Sequence, residues 1–351
     1  MLICLVVVAV LAPDSALAAA PEGPRLAASV FHVYPNAGTE VTSVGPFGEA
    51  PLRLAGGPDD SAPGPLTTSR PAWSPDGGLL AFTGSSHGTA GLFVVRDDGS
   101  HLRLLQSSRR VLFQGDPVFT PDGRALAVTA LQIVRGHFER PAARSGSDQK
   151  LDVRFALWAI GVDGSPPRPL TPWQRRAILS PGSFSSDGKT LVATAYDGRG
   201  VRIVAISVGD GLHRGMRLLA RNAGEPALSP AGTRLAFVRN HLESLGAAGE
   251  HRVVRSDLIS VPFSGGAPRI VTSARGGLRW PSWDPSGQRL AFTRIGGAGP
   301  AIGSDPHQGN SVMQVNADGS CLGRVLSTRR GIIYGTAWQP GPGRDAGPIS
   351  C

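Results

Sequence analysis

Short apolar runs of about four to eight residues, rich in Leu, Val, Ala and Phe, recur along this chain, and polar turns carrying Gly, Asp, Ser or Pro separate them. Leu79-Leu-Ala-Phe-Thr83, Gly91-Leu-Phe-Val-Val95 and Arg289-Leu-Ala-Phe-Thr293 are examples. Such runs are too short for helices, and Asp-Gly or Ser-Gly between them predicts hairpins, because Gly takes the positive φ and the acidic or hydroxyl side chain caps the turn. The pattern therefore predicts antiparallel strands throughout.

The turns repeat. An aromatic residue or leucine precedes a polar turn with Gly four positions on and Leu three further: Trp73-Ser-Pro-Asp-Gly77…Leu80, Phe119-Thr-Pro-Asp-Gly123…Leu126, Phe184-Ser-Ser-Asp-Gly188…Leu191, Leu228-Ser-Pro-Ala-Gly232…Leu235 and Trp283-Asp-Pro-Ser-Gly287…Leu290. A second hairpin follows each copy: Gly91–Leu105, then Leu157–Ser165, Val201–Gly211, Leu258–Gly266 and Val312–Ser320. Four strands per repeat, at a period of tens of residues, is the blade pattern of a β-propeller. The Trp or Phe ending each first strand is placed to fill the wedge between neighbouring blades.

A sixth blade is expected to be split between the termini. Tyr334–Gly341 supplies a first strand and turn, and Gly23–Ala28 resumes where that turn ends, with further strands near Thr39–Val44 and Pro51–Leu54. One C-terminal strand and three N-terminal strands complete a six-bladed ring, which leaves no exposed sheet edge at the seam. The expected organisation is a propeller over residues 21–341 and a tail over 342–351, as a monomer. Leu228 and Ala231 in the fourth copy, and Gly341 in the sixth, depart from the pattern, so those corners should be looser.

The repeated W-S-P-D-G-x-x-L-A-F with a following D-G-S-x-x-R-L-L resembles the WD40-like (PD40) repeats of TolB-type propellers, also found in prolyl-oligopeptidase-like peptidases. The resemblance covers about residues 22 to 341 and implies the six-bladed fold. It implies little about activity. The separate α/β domain of TolB has no counterpart stretch here, and no G-x-S-x-G nucleophile motif occurs, so serine peptidase chemistry is not expected.

Leu2 to Leu11 is an apolar run too short to span a bilayer, and Ala16-Leu17-Ala18-Ala19-Ala20 follows it. This reads as an export signal over residues 1–20, with a buried strand or an uncleaved anchor as the alternatives. No later segment has the apolar length of a transmembrane helix. The expected location is the periplasm or the extracellular side of the cell envelope. Cys321 and Cys351 then lie in a compartment that permits a disulfide, and they are expected either to pair beside the seam or to remain two free thiols. Net charge is +9, which permits anionic partners, yet no nucleic-acid motif is present. Only Lys150 and Lys189 among the basic residues are lysine, a bias that reads as base composition rather than phosphate recognition.

Functional residues should lie between the repeats. Three positions before each aromatic stand Arg70, Asp116, Pro181, Glu225, Trp280 and Gly335, and Arg279 and Tyr334 come one earlier. First strands line a propeller's central channel, so Arg70, Asp116, Glu225, Arg279, Trp280 and Tyr334 form the expected ligand-facing set at one mouth. The alternative is that they are solvated loop residues that pair with each other. Insertions at about Leu131–Asp152, Asn240–Asp257 and Ile295–Asn310 should emerge at the same mouth, the first carrying Arg135, His137, Phe138, Arg140 and Arg144. His137, His241, His251 and His307 lack zinc-site spacing, and no calcium or phosphate loop occurs, so no cofactor or metal is expected.

Three functions follow. The leading one is a non-catalytic scaffold that binds a protein or an anionic envelope component. The second is a carbohydrate lyase or hydrolase using Asp116 and Glu225. The third is a sensor for a small ligand.

Overall fold

The computed structural model describes residues 25–32, 38–56, 66–67, 69–86, 89–107, 111–135, 152–198, 200–208, 215–244, 251–295, 310–328, 331–341 and 347–351. The expected export segment, most of the first and third insertions, and His137, Phe138, Arg140, Arg144 and His307 lie outside the described residues.

The strands form six antiparallel blades. Blade one contains Leu66–Thr67 (β4), Ala72–Trp73 (β5), Leu79–Ser86 (β6), Thr89–Arg96 (β7) and Arg103–Ser107 (β8). Blade two is Val111–Phe119 (β9), Ala125–Arg135 (β10), Asp152–Gly161 (β11) and Arg168–Pro169 (β12). Blade three is Ala177–Phe184 (β13), Thr190–Asp197 (β14), Gly200–Ser207 (β15) and Met216–Arg221 (β16). Blade four is Gly224–Leu228 (β17), Arg234–Ser244 (β18), His251–Pro262 (β19) and Arg269–Arg275 (β20). Blade five is Gly277–Trp283 (β21), Arg289–Ile295 (β22), Asn310–Asn316 (β23) and Gly323–Ser327 (β24).

The sixth blade closes the ring as the sequence predicts. Gly331–Trp338 (β25) pairs with Leu26–His32 (β1), followed by Gly38–Val44 (β2) and Leu52–Gly56 (β3). Leu26 sits opposite Trp338 in that ladder, so the chain's two ends share one sheet.

Alternation along each strand builds the core between blades. On β6, Leu80 and Phe82 join a cluster with Ala27, Val41 and Leu54 of blade six, while Ala81 faces Phe119 and Val128 of blade two. Phe82 stacks on Phe93 of β7 with ring centroids 5.8 Å apart. Six such clusters each draw on two neighbouring blades. Burying a Leu or Phe side chain contributes about 1.5–3 kcal/mol, so these wedges hold the ring together.

The aromatic that ends each first strand reaches the blade before it. The Trp73 indole N–H donates to the Ala337 carbonyl (3.2 Å) and that of Trp283 to the Ala227 carbonyl (3.0 Å). Corner turns are capped as their residue types require: the Ser74 hydroxyl donates to Asp76 and accepts from the Leu79 N–H, and Asp76 also accepts from the Gly78 N–H. The Ser74 hydroxyl bond, then the Gly78 amide, holds the Asp76 carboxyl below its usual range. In blade four Ala231 offers no carboxylate, and the Ser229 hydroxyl alone accepts from the Arg234 N–H at 3.1 Å.

Two expectations change. Asn240–Asp257 is largely a continuation of the β18–β19 ladder, which runs through Asn240↔Ser256 to Ser244↔His251. Its exposed positions Asn240, His241, Glu243 and Ser244 are polar and conceal the strand pattern, while Val253, Ser256 and Asp257 on the facing strand are buried. The first strand of blade one is broken into β4 and β5, with Ser69, Arg70 and Pro71 intervening. Pro71 has no N–H to give the ladder.

Candidate functional site

All of the first strands are irregular at the same depth. Register shifts fall between Gln114 and Val118 on β9, Pro181 and Ser183 on β13, Gly224 and Ala227 on β17, Arg279 and Ser282 on β21, and Tyr334 and Thr336 on β25. The gap between β4 and β5 occupies the equivalent place. Bulges bend a strand and re-aim its side chains. Proline imposes most of them, because Pro71, Pro117, Pro226 and Pro281 each stand two residues before the repeat's aromatic or leucine. Glu225 and Trp280 adopt φ of 58° and 53°, and Gly335 adopts 74°.

The bulges bring Arg70, Asp116, Pro181, Glu225, Arg279 and Trp280 around one cavity of about 170 Å³, where the first strands of blades one to five converge. Tyr334 stands beside this lining, its ring edge against Trp280 with centroids 6.2 Å apart. Gly335 lies behind Arg70, where a Cβ would come within 2.7 Å of the Arg70 Cα. Thr194 and Tyr196 of β14 also line the cavity.

Two arginines in this cavity have different surroundings. The Arg279 guanidinium pairs with the Glu225 carboxylate and lies over the Trp280 ring, 4.6 Å from its centroid. Glu225 also accepts from the Trp280 N–H at 2.5 Å, and its own N–H donates to the Thr194 hydroxyl at 2.8 Å. Burial, the largest cause, would push Arg279 down; the Glu225 charge and hydrogen bond, with the nearby Tyr196 and Asp116, together outweigh it and the net shift is upward. Arg70 instead donates its backbone N–H to Asp116 (2.8 Å) and one guanidinium N–H to the Gly182 carbonyl across the channel (3.1 Å).

Burial, with the Glu225 charge as second cause, pushes the Tyr196 phenol up to about 12. The side chain lines the cavity and is 37% exposed. At neutral pH it is therefore a hydrogen-bond donor. Burial likewise raises the Tyr334 phenol. Threonines join neighbouring blades around the channel: the Thr83 hydroxyl donates to the Gly115 carbonyl (2.8 Å) and the Thr129 hydroxyl to that of Leu179 (2.7 Å).

Sequence reasoning missed Thr194 and Tyr196, which lie on a second strand rather than a first. Tyrosine is rare here, three in the chain, and that rarity was the available signal for Tyr196.

Elsewhere, His241 hydrogen-bonds to Asp257 (2.7 Å) at the base of the extended hairpin, and Arg255 and Ser273 donate to the same carboxylate. Among the described residues no cluster of His, Cys, Asp and Glu is placed to hold a metal ion, and no helix is long and apolar enough to cross a membrane. Cys321 and Cys351 are paired as a disulfide with Cα atoms 5.1 Å apart. Asn316 fixes the same tail, donating to the Ile349 carbonyl and accepting its N–H.

No family model matches the sequence. A stretch of 191 residues, 54% of this chain, is 27% identical to an uncharacterized peptidase, YuxL, of Bacillus subtilis (strain 168), and spans only 24% of that protein's length. TolB from Acinetobacter baumannii superposes with a TM-score of 0.65 over 92% of this chain and 69% of its own, at 18% identity. A putative TolB from Agrobacterium tumefaciens gives 0.56 over 88% and 91%, at 17% identity. The structural neighbours thus include TolB propellers, and at these identities the likeness is one of fold.

Proposed function

We propose that this chain is a non-catalytic, exported propeller that docks a protein or an anionic cell-envelope component at the channel mouth. The observation that carries this reading is the convergence of Arg70, Asp116, Glu225, Arg279 and Trp280 on one cavity of a rigid ring. Unrepeated charged and aromatic residues at the end of a channel suit recognition, whereas the repeated residues build blades. The β18–β19 hairpin continues beyond Gly224, where the first strand of its blade starts, and supplies a projecting rim. Export is supported by the apolar N-terminal run, by the cysteine pair, which suits an oxidising compartment, and by likeness of fold to TolB.

The alternative reading, acid/base chemistry by Asp116 and Glu225, has less support. Glu225 is committed to Arg279 and to the Trp280 amide, which leaves it poorly placed to exchange protons with a substrate.

Capture from native envelope extract tests the proposal. The full chain should recover a defined partner, and a variant combining Arg70→Gln, Arg279→Gln and Trp280→Ala should lose it while keeping its β-sheet circular dichroism. Equal recovery by the variant would remove the mouth from the account.

A further inference from the structure

Two charged side chains in the cavity, Arg70 and Asp116, form no ion pair among the described residues, although the Asp116 charge also reaches Arg279. Arg70 is only 8% exposed, and its guanidinium has five N–H donors, of which one is engaged, by the Gly182 carbonyl. Among the described residues no carboxylate forms an ion pair with it. Asp116 accepts the Arg70 backbone N–H through Oδ1, and its Oδ2 receives no donor from the described residues. Both side chains line the same cavity. Arg279 and Glu225, by contrast, neutralise each other.

Burying a charge without an ion pair, as at Arg70, is costly unless something compensates it, and the half-buried Asp116 stands beside it as an open carboxylate. One ligand group of each sign would satisfy both residues. The volume of about 170 Å³ lies below the roughly 300 Å³ at which drug-sized sites begin, so the ligand is small. The Trp280 ring and the Tyr196 phenol offer a wall with apolar surface and one neutral donor.

We propose that the cavity binds a free α-amino acid as its zwitterion, with the carboxylate on the Arg70 guanidinium and the ammonium at the Asp116 carboxylate. This goes beyond partner docking and would give the channel mouth a small-molecule occupant of its own. Bidentate pairing of guanidinium with carboxylate supplies orientation, and Asp116 rejects ligands that carry only a negative charge.

Calorimetric titration of the full chain with each common amino acid, and with acetate and ethylamine, tests the inference. At least one amino acid should bind, at least tenfold tighter than acetate or ethylamine. Arg70→Gln and Asp116→Asn, each checked for an intact thermal transition, should each weaken that binding about tenfold or more. Absence of binding by every amino acid, unchanged affinity in Arg70→Gln, or acetate binding as tightly as the best amino acid would overturn it. Failure here is distinguishable from failure of docking: a chain that captures its partner but binds no amino acid contradicts only this inference, and the reverse result contradicts only docking.

Discussion

Glu225 and Arg279 face each other from the first strands of adjacent blades, and the same carboxylate accepts the Trp280 N–H at 2.5 Å. Three residues whose backbones are bent by bulges are thereby fixed relative to one another. Glu225→Gln keeps the size but removes the charge, leaving Arg279 desolvated without its counter-ion. Stability should fall by about 1–3 kcal/mol in chemical denaturation. An unchanged midpoint would mean the pair contributes nothing to the ring.

Gly335 lets Arg70 into the cavity. Its φ of 74° suits glycine, and an added methyl would press on the Arg70 backbone and stem. Gly335→Ala should cost about 1–3 kcal/mol and lower any mouth-dependent binding through displacement of Arg70. Wild-type stability and binding together would show that the space behind Arg70 is not needed.

The disulfide joins residues 30 apart and ties the C-terminal tail to the segment after β23. Closing a loop of that length stabilises by about 3–4 kcal/mol in the chain-entropy account. Reducing agent, or Cys351→Ser, should lower the melting temperature, and intact mass should show two fewer hydrogens in the oxidised chain than in the reduced one. Identical melting with and without reductant would contradict this.

Asp257 gives the chain a defined acid response. Burial alone would raise its carboxyl, but hydrogen bonds from Ser273, His241 and Arg255 outweigh that and hold it below the usual range. A depressed folded pKa stabilises above the ordinary carboxylate value, near 4, and that stability is lost as pH falls through the folded value. Protection factors of amides in β18 and β19, corrected for the intrinsic pH dependence of exchange, should therefore fall below about pH 4, and Asp257→Asn should flatten that fall. A wild-type profile in the variant would assign the acid response elsewhere.

The ring was legible because blade building repeats. Trp73, Phe119, Phe184, Leu228, Trp283 and Trp338 mark the six wedges, and the split sixth blade follows from where two half-patterns stop and start. The hairpin beyond Asn240 was not legible as strand, because the polar Asn240, His241, Glu243 and Arg252 interrupt the apolar pattern that marks the other strands. The set Arg70, Asp116, Glu225, Arg279 and Trp280 could be counted out from the aromatics, yet the reason it converges lies in the bulges. The prolines at 71, 117, 226 and 281 recorded those bulges in the sequence, while Tyr196 carried no positional mark because it sits on a second strand.

The central claim is that recognition occurs at the channel mouth. Hydrogen exchange of the chain alone and in complex with its captured envelope partner tests it most directly. The account predicts new protection at residues 69–73, 115–118, 224–228 and 277–283, with the outer strands β8, β16 and β20 unchanged. Protection confined to those outer strands would contradict it.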